Sequence, residues 1–550
     1  MDLKLLEELK SKFSGDVDTG EDTLMEYSHD ASLFEVKPQV VVFPKSESDI
    51  VNLVEFVNKH KDENKDLSLT ARGAGTGMDG GAINDSIIIA FGKYFNNTPT
   101  LKGDVATTEP GVFYRDFEKV TLAKNLIFAS YPASRDLCAM GGIINNNAGG
   151  EKSLLYGKTE KYVERIKAVL SDGSVVEFKP LNDSELKEKM KLKTLEGEIY
   201  REMYKLITEN YETLQNAKPQ VSKNSAGYFL WNVYNKEIKV FDLTKLFTGA
   251  QGTLGLMLEA DLKLVPLHKH REMAVIYVYD MNRLKEIVDV VMPLKPESFE
   301  CYDDNTLKLG LKFMPEFTKQ LGLVGMMQAG MAFFPAFWDM VRGCMPKLVL
   351  QVDFTGDDME ELNKKVAILH EKLKDLTPRV CDAKDNQENK YWLVRRESFN
   401  MLRKKVRNLH TAPFVDDFVV DPHDVGEVLE KVTAIFKRYP EFIFTAAGHI
   451  GDGNFHLIPL ANIENPKVRK AIGEISEEVY KLVLEKKGST TGEHNDGLVR
   501  SPYLEKMYGK QVMKLFEKTK NIFDPQNIFN PRKKIGSSWD YAMNHIRSHW

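Results

Sequence analysis

Cysteine is scarce in this chain of 550 residues, which has only four. They are Cys138, Cys301, Cys344 and Cys381, and no two of them form a Cys-x-x-Cys pair. This spacing excludes a zinc site built from cysteines and a cysteine-bound iron–sulfur cluster. The low count also fits a reducing compartment, where disulfides rarely form.

The first residues show no apolar segment of the kind found in signal peptides. The numbers of basic and acidic residues are also close to each other. Residues 1–13 alternate leucine with lysine and glutamate and lack the apolar core of a signal peptide, so we expect a cytoplasmic protein. The 75 Lys and Arg residues nearly balance the 80 Asp and Glu residues. Because binding to a phosphate backbone requires an excess of basic residues, we expect no nucleic acid among the partners.

Apolar residues, in contrast, are plentiful: 42% of the chain is hydrophobic, which is enough for more than one core. A strand pattern at 39–44 is followed by a helix that begins at Ser46 and by a strand at 67–71, and a similar alternation begins again after Pro266. The sequence therefore predicts an α+β or α/β fold in four parts. These parts are a helical lead at 1–36, a first large domain at 37–266, a second domain at 267–485 and a C-terminal segment at 486–550.

One segment of the second domain stands apart because residues 321–338 carry no charge. The longer stretch at 314–345, which we predict to be an insertion, holds six of the 21 methionines. The uncharged run is interrupted by glycine and proline, and it falls short of the roughly twenty apolar residues of a membrane-spanning helix. Two interpretations stay open: an apolar lid or buried insertion, which we favour, and a peripheral contact with the inner face of the membrane or with a lipid-soluble partner.

A glycine loop follows the strand at 67–71, where residues 72–82 read RGAGTGMDGGA. Glycine lets the backbone approach a bound group closely, and successive N–H groups in such a loop form a nest for an anion, most often a phosphate. Met78 stands where a Rossmann fingerprint needs its third glycine, and no helix pattern follows directly. The loop therefore argues against an NAD-binding domain.

Two further clusters of glycine follow at wide intervals. Residues 132–150 read PASRDLCAMGGIINNNAGG, and residues 249–255 read GAQGTLG. Glycines allow a flat group to lie against the backbone, while asparagine side chains can donate and accept hydrogen bonds at its polar rim. Three such clusters indicate a site for a large cofactor rather than three isolated turns.

The three clusters, in this order and with the motif NIFNP at 527–531, resemble the FAD-binding domain of the vanillyl-alcohol oxidase and p-cresol methylhydroxylase (PCMH) superfamily. The resemblance implies an α+β fold with a two-subdomain PCMH-type FAD-binding domain, an α+β cap domain for the substrate, and a C-terminal segment that returns to the FAD domain. No histidine lies between residues 72 and 150, so we expect FAD to be bound non-covalently. The residues that the resemblance assigns to FAD are Arg72, Gly73, Ala74, Gly75, Thr76, Gly77, Met78, Pro132, Ser134, Gly141, Gly142, Asn145, Asn147, Gly149, Gly252, Thr253, Gly255 and Asn530.

A histidine pair marks the second domain, where residues 448–457 read GHIGDGNFHL. The Asp-Gly dipeptide at 452–453 predicts a two-residue hairpin turn, which would place His449 directly opposite His456 at about 4.5–5.5 Å between the Cβ atoms. Two imidazoles at that separation can share a divalent metal, and Glu493 with His494 lies in a later motif, TGEHNDG. The alternative, two hydrogen-bonded core histidines and a solvated acid, stays open, and we favour the metal.

These motifs resemble the cap domain and C-terminal segment of FAD-linked D-2-hydroxy-acid dehydrogenases, a group that includes D-lactate, D-2-hydroxyglutarate and glycolate dehydrogenases. The resemblance implies a divalent metal, commonly zinc, on His449, His456 and Glu493, with His494 as the base. A segment at 391–397 resembles the group's Trp…Arg-Glu motif. It implies that Arg396, with Arg395 as the second choice, binds the substrate carboxylate. The alternative, that these arginines are ordinary charged residues of the surface, is equally compatible with the sequence.

Two departures qualify the resemblance. The group usually reads Glu-His-Gly-x-Gly, whereas this chain has Asn495 and Asp496 after the histidine. The related alkyl-dihydroxyacetone-phosphate synthases have a double histidine at this place, and Glu493 argues against that branch.

The expected reaction is oxidation of a D-2-hydroxy acid to the 2-oxo acid by transfer of a hydride to the flavin. We find no lysine for a second carboxylate after the segment at 391–397, which favours a substrate like D-lactate. A quinone or an electron-transfer protein is the expected electron acceptor. The alternatives are an oxidase that uses oxygen, a non-redox relative of the synthases, and a binding module without flavin.

Overall fold

The computed structural model describes residues 1–312, 345–377, 379–383, 392 and 409–548 of the chain. The uncharged run at 321–338 and both Arg395 and Arg396 lie outside the described residues. Across the described part of the chain, no helix is both long enough and apolar enough to cross a membrane.

The N-terminal part of the chain contains two principal sheets. The first is four-stranded, and three of its strands, 40–43, 87–90 and 69–72, run parallel to one another. Its strands, in spatial order, are Asp16–Asp18, Val40–Phe43, Ile87–Ala90 and Leu69–Arg72. The second is five-stranded and antiparallel, with the order Thr100–Lys102, Val105–Thr108, Leu256–Lys263, Val163–Val169 and Val175–Phe178. A small third sheet joins Leu181–Asn182, Val240–Phe241 and Tyr234–Asn235.

Helices cover both principal sheets, and the sequence explains where they begin. The helix Glu47–His60 starts at Ser46, whose side chain accepts from the backbone of Asp49 while Asp49 bonds back, so the predicted start is confirmed. The apolar face of this helix packs on the parallel sheet. The helices of this part are Leu3–Lys12, Glu21–Tyr27, Glu47–His60, Tyr114–Leu122, Met140–Asn145, Ser153–Tyr156, Asp183–Lys191, Leu195–Glu209, Tyr211–Ala217 and Thr244–Phe247.

A seven-stranded antiparallel sheet, which we call the cap sheet, dominates the second part of the chain. Its strands, in spatial order, are Val380–Ala383, His270–Val278, Leu348–Gly356, Ser298–Asp303, Ala446–His449, Asn454–Leu457 and Phe418–Val419. One face is covered by helices and forms a large apolar core. The helices of this part are Leu284–Val291, Asp304–Lys312, Met359–Leu373, Val425–Phe436 and Pro466–Glu485. The opposite face carries the histidines of the hairpin, and there the site is built.

The C-terminal segment links the two parts. Its helices are Gly497–Arg500, Leu504–Phe523 and Trp539–Asn544. Phe529 pairs with Leu69 at the edge of the parallel sheet, and Phe516 and Phe523 enter the core beneath the five-stranded sheet. The chain therefore leaves the cap sheet, packs on the N-terminal part and ends between the two, since Ile546 pairs with Phe34 and Ala542 lies in the core of the cap sheet.

Candidate functional site

The first glycine loop begins at the carboxyl end of the strand Leu69–Arg72. Gly75 has a φ of +68°, a conformation that glycine adopts without strain. A Cβ on Gly73 would stand 3.6 Å from the backbone nitrogen of Gly142, so the loop contacts residues 139–150, which we call the asparagine-rich segment. Among the described residues, the N–H groups of residues 74–78 donate to no acceptor. The loop can therefore offer them to an anion.

The third glycine cluster is bonded directly to the asparagine-rich segment. The N–H of Gln251 donates to the carbonyl of Asn145 at 2.9 Å, and the N–H of Gly252 donates to the Asn145 side chain at 3.2 Å. The Asn530 amide donates to the carbonyls of Gly81 and Gln251 at 2.9 and 2.7 Å. The three clusters and Asn530 thus form one continuous surface, which we call the glycine wall.

The glycine wall fits a flavin nucleotide. Asn147 is fully buried, and its amide nitrogen has no hydrogen-bond partner in the described part of the chain, so it can donate to a bound polar group. A Cβ on Gly142 would have no atom within 4 Å, so open space for a flat ring adjoins the backbone there. Arg72, which stacks on the Tyr27 ring at 4.9 Å, adds positive charge beside the N–H groups of the loop. The residues present therefore fit FAD.

The other residues assigned to FAD lie in the glycine wall or directly behind it. Within the loops and the asparagine-rich segment are Ala74, Thr76, Gly77, Met78, Gly141 and Gly149. Pro132 and Ser134 lie in the turn before that segment, where the carbonyl of Ser134 accepts from the N–H of Cys138 at 2.9 Å. Thr253 bonds to the hydroxyl of Tyr228 at 2.6 Å, and a Cβ on Gly255 would stand 3.0 Å from the Phe247 ring. Thr253 and Gly255 therefore support the third cluster from the core.

The histidine hairpin forms with a register that differs from the predicted one. His449 lies opposite Asn454, and His456 lies opposite Ala447. The connection consists of one 3₁₀ turn followed by Gly453 at a φ of +65°, so four residues join the strands instead of two. The predicted direct pairing of the two histidines is therefore wrong, because the Asp-Gly dipeptide ends a longer turn.

The two histidines nevertheless meet, because they are diagonal neighbours on the same face of the sheet. Their ring centroids are 5.3 Å apart. The Nε2 atom of His449 and the Nε2 atom of His456 each lie 3.2 Å from Oε1 of Glu493. Two imidazole nitrogens and one carboxylate thus converge on a single point, and this donor set suits a divalent metal such as zinc.

A carboxylate lies behind each imidazole. Oε1 of Glu300 is 2.6 Å from Nδ1 of His449, and Oδ1 of Asp416 is 3.1 Å from Nδ1 of His456. These bonds fix both rings with Nε2 directed at Glu493. A carboxylate in this position also makes the imidazole a stronger metal ligand, so the surroundings as well as the donors fit a metal.

Glu493 is almost completely buried, yet it is ionised. Nζ of Lys223, a side chain that is itself 1% exposed, lies 3.2 Å from Oε2 of Glu493. Burial by itself would raise the pKa of Glu493, but Lys223 and His449 outweigh burial and hold that pKa well below its usual range. An ionised carboxylate is the form that binds a metal.

His494 lies beside this convergence point and is more exposed than its neighbours. Its ring stacks on the His456 ring with centroids 4.9 Å apart, and its Nδ1 atom is 2.6 Å from Oδ2 of Asp416. Burial by itself would lower the pKa of His494, but the carboxylates of Asp416 and Asp417 outweigh burial and raise that pKa. Since Nδ1 is bonded to Asp416, Nε2 is the nitrogen that can exchange a proton with a bound molecule.

A second combination of donors, Asp417, His456, Glu493 and His494, also lies within 4.8 Å. The oxygens of Asp417 already accept hydrogen bonds from the N–H groups of Glu493 and His494 and from the hydroxyl of Thr491, at 3.0, 2.7 and 2.5 Å. We therefore assign Asp417 to holding the Glu-His segment in place. The predicted set of two hairpin histidines and the glutamate remains our proposal for the metal.

The histidine cluster, which consists of His449, His456, Glu493 and His494, adjoins the glycine wall. A Cβ on Gly149 would stand 3.2 Å from Oε2 of Glu493. One residue beyond His494, the amide of Asn495 donates to the carbonyls of Asn146 and Gly249 at 3.1 and 2.9 Å. A small molecule between the two surfaces can therefore contact both.

Several residues of the site were not predicted from the sequence: Lys223, Glu300, Asp416 and Asp417. They come from three separate parts of the chain and share no spacing with the hairpin, so no local pattern joins them to it. One signal was present for the aspartates, since two adjacent acids interrupt the apolar run at 414–420. Buried acids inside an apolar strand commonly orient other polar groups.

The architecture matches solved flavoproteins. The structure of p-cresol methylhydroxylase with substrate bound has a TM-score of 0.66 with 16% sequence identity, and the match covers 98% of this chain and 97% of that chain. The fold is therefore the PCMH-type FAD-binding fold, and the predicted α+β class is confirmed. This fold and the glycine wall define the class of the protein, an FAD-binding flavoprotein.

Family comparison gives a closer assignment. The family described as "FAD binding domain" matches residues 38–179, and the family "FAD linked oxidases, C-terminal domain" matches residues 267–534. The chain therefore contains an FAD-binding domain and the C-terminal domain of FAD-linked oxidases.

Curated relatives carry names from the D-2-hydroxy-acid dehydrogenases. The D-2-hydroxyglutarate dehydrogenase of Escherichia coli strain K12 is 26% identical over 551 residues, with 96% of this chain and 51% of that protein covered. The chain thus spans about half the length of the first curated relatives that it matches. The D-lactate dehydrogenase of Archaeoglobus fulgidus is 24% identical over 499 residues, with 90% of this chain and 91% of that protein covered.

Proposed function

We propose that the chain is an FAD-linked dehydrogenase that oxidises a D-2-hydroxy acid to the 2-oxo acid and passes the electrons to a separate acceptor. The observation that carries the proposal is the contact between the two surfaces, with Glu493 3.2 Å from a Cβ placed on Gly149. A hydroxy acid needs a proton acceptor, a polarising charge and a hydride acceptor at one carbon. This junction supplies a place for all three.

The histidine cluster holds the reacting oxygen in this proposal. His449, His456 and Glu493 would bind a divalent metal, and their nitrogen and oxygen donors suit zinc. The glycine wall would bind FAD. When bound, the metal polarises the 2-oxygen and FAD accepts the hydride from C2. The substrate therefore lies with its 2-oxygen toward the histidines and its C2–H bond toward the asparagine-rich segment.

His494 acts as the general base. Its Nε2 atom accepts the hydroxyl proton, because Asp416 holds the other ring nitrogen and stabilises the imidazolium that forms. Asp416 also contacts His456, so one buried carboxylate orients the base and a proposed metal ligand together. Because Asp416 contacts both histidines, it holds the proposed base and the proposed metal ligand at a fixed position relative to each other.

The substrate is expected to be a small D-2-hydroxy acid whose carboxylate binds an arginine. Arg396, with Arg395 as the second choice, stays our proposal for that role, and both lie outside the described residues. The sequence favoured D-lactate, while relatives carry the names of both D-lactate and D-2-hydroxyglutarate dehydrogenases. A quinone or an electron-transfer protein remains the proposed acceptor, and a peripheral membrane contact through residues 321–338 remains a proposal that lies outside the described residues.

Anaerobic reduction of the bound flavin by a panel of D- and L-2-hydroxy acids tests the proposal. We expect bleaching near 450 nm by a D acid and none by its L enantiomer. His494→Ala should slow the reduction at least about 100-fold, because it removes the general base. Removal of the metal with a chelator should also abolish reduction, and added zinc should restore it.

The matched control is His423→Ala, which removes an exposed histidine far from the cluster in sequence. It should reduce at the wild-type rate. Undiminished reduction in His494→Ala and after chelation would contradict the assigned roles. Stoichiometric peroxide under air would favour an oxidase instead, and a protein that binds no flavin would favour the binding-module alternative.

A further inference from the structure

The two oxygens of the Glu493 carboxylate have different neighbours. Oε1 lies 3.2 Å from Nε2 of His449, 3.2 Å from Nε2 of His456 and 3.9 Å from Nε2 of His494. Oε2 instead accepts a hydrogen bond from Nζ of Lys223 at 3.2 Å. One oxygen therefore faces the histidines, while the other is held by a buried lysine.

Lys223 is fixed by the two surfaces that meet around it. Its Nζ atom donates to the carbonyl of Gly150, at the end of the asparagine-rich segment, at 3.2 Å. The same atom lies 3.2 Å from Oδ2 of Asp452 in the hairpin turn. The preceding residue, Ser222, donates its hydroxyl to the carbonyl of Asp452 at 2.7 Å. The glycine wall and the hairpin turn therefore hold the ammonium group of Lys223 against Glu493 from two sides.

A carboxylate can bind a metal through one oxygen or through both. Binding through both oxygens fills two positions around the metal, whereas a catalytic metal must keep one position open for the substrate. The second oxygen of Glu493 is engaged by an ammonium group, which has no lone pair and cannot itself bind a metal. Only Oε1 of Glu493 is therefore free to act as a ligand.

We propose that Lys223 is a positioning residue that restricts Glu493 to one metal-binding oxygen and so keeps a metal position open for the 2-oxygen of the substrate. The inference rests on the proposed function, which places a divalent metal on His449, His456 and Glu493. This role has a cost, since the positive charge of Lys223 next to a metal ligand opposes the binding of a cation. A lysine that only held the carboxylate in place would instead strengthen metal binding, as partners of metal ligands usually do.

Zinc binding distinguishes these two roles by the sign of one change. Lys223→Met keeps the length of the side chain but releases Oε2 of Glu493 and removes the positive charge. The variant should therefore bind zinc at least about tenfold more tightly than the wild type, both loaded with FAD. Competition with a chromophoric chelator measures the affinities. Crystal structures of the zinc-loaded proteins should show one oxygen of Glu493 on the metal in the wild type and both oxygens in Lys223→Met.

The same variant should lose activity although it binds zinc more tightly. Its flavin should be reduced at least about tenfold more slowly by the D-2-hydroxy acid that reduces the wild-type flavin, because the second oxygen of Glu493 occupies the position of the 2-oxygen. Tighter zinc binding together with slower reduction separates this role from a general loss of structure, which would weaken both.

Two further variants complete the test. Lys223→Met leaves the buried carboxylate of Asp452 without a counter-charge, which destabilises the fold. The double variant Lys223→Met with Asp452→Asn removes that charge, and its zinc affinity and Glu493 coordination should change in the same way. Lys520→Met is the matched control, because it removes a buried lysine that pairs with Asp524 at 2.5 Å. Its zinc affinity and Glu493 coordination should equal those of the wild type.

A 10- to 100-fold loss of zinc affinity in both Lys223 variants would overturn the proposal, because that is the usual effect of losing a residue that only orients a ligand. An unchanged affinity, or the same Glu493 coordination in variant and wild type, would overturn it as well. A wild-type protein that binds no zinc would refute it together with the metal assignment. If no D-2-hydroxy acid reduces the flavin, the proposed function fails, while the zinc affinities and the zinc-loaded structures still decide the role of Lys223.

Discussion

At the scale of single residues, Asn495 explains how the chain tolerates its departure from the Glu-His-Gly pattern. Its φ is +72°, a left-handed conformation that glycine prefers and that asparagine tolerates better than most residues. Its side-chain oxygen accepts from Nζ of Lys534 at 2.8 Å, while its nitrogen donates to the carbonyls of Asn146 and Gly249. The substitution keeps the turn and adds bonds between the histidine cluster and the glycine wall.

Glu300 allows a prediction at the same scale. Glu300→Gln should weaken zinc binding by the FAD-loaded protein about 10- to 100-fold, because the carboxylate that orients His449 becomes a neutral amide. Competition with a chromophoric chelator measures the affinity. The matched control is Glu297→Gln, three residues earlier, whose carboxylate pairs with Lys152 at 2.8 Å. Equal zinc affinities of Glu300→Gln and the wild type would show that His449 needs no such support.

At the scale of elements, the hairpin is held by its turn as much as by its strands. Gly453 ends the connection with a φ of +65°, and a Cβ there would stand 1.8 Å from the carbonyl oxygen of Val420. The neighbouring chain thus closes over the turn and fixes the diagonal placement of the two histidines. A two-residue turn would have removed this contact and changed the register.

Gly453→Ala should therefore be strongly destabilising. The backbone clash and the left-handed conformation together should lower the free energy of unfolding by about 3 kcal/mol or more, measured by urea unfolding of the FAD-loaded protein. Gly103→Ala is the matched control, since Gly103 has a similar φ of +64° but open space around its Cβ position. Its cost should be about 1–2 kcal/mol. Similar losses in both variants would mean that Val420 yields to the methyl group.

At the scale of the whole molecule, three distant segments meet behind the site. The side chain of Gln251 donates to Asp79 of the first glycine loop and accepts from the N–H of Gly497 at 2.9 Å. A Cβ on Gly497 would stand 2.1 Å from the carbonyl of Asp79. The glycine wall and the C-terminal segment are therefore locked together, and the position of the histidine cluster depends on the fold of the whole chain.

Asp79 gives this junction a pH dependence. Burial, assisted by the charge of Asp30, raises the pKa of Asp79 to about 6. The folded protein therefore binds this proton more tightly than the unfolded chain, and Asp79 lowers stability as pH rises from about 4 to about 6, with a constant cost above that range. The side chain in Asp79→Asn carries no charge, so the variant does not lose this stability as pH rises.

Asp79→Asn should accordingly stabilise the protein by up to about 3 kcal/mol at pH 7.5, and this gain should be about 1 kcal/mol smaller at pH 5. Urea unfolding of both proteins at pH 5, 6 and 7.5, with FAD in fixed excess, measures the difference. A gain that stays flat or shrinks as pH rises would contradict the raised pKa.

The expectations from the sequence succeeded where short-range chemistry decides the outcome. The capping box at Ser46 fixes the start of a helix, and glycines 73 and 75 form a loop of the predicted kind at the end of a strand. The same reasoning failed at the hairpin, because the Asp-Gly dipeptide fits both a two-residue turn and the end of a longer one. Contact with Val420, which lies some thirty residues away in sequence, selects between them.

The sequence by itself determined the fold class, the three glycine clusters and the residue types of the histidine cluster, because each depends on spacing within a few residues. Tertiary structure alone decided the register that brings His449 to His456 and the carboxylates of Glu300 and Asp416 behind them. These features depend on which strands become neighbours in the cap sheet. Side chains that are far apart along the chain acquire their charges, partners and exposure only when that packing is complete.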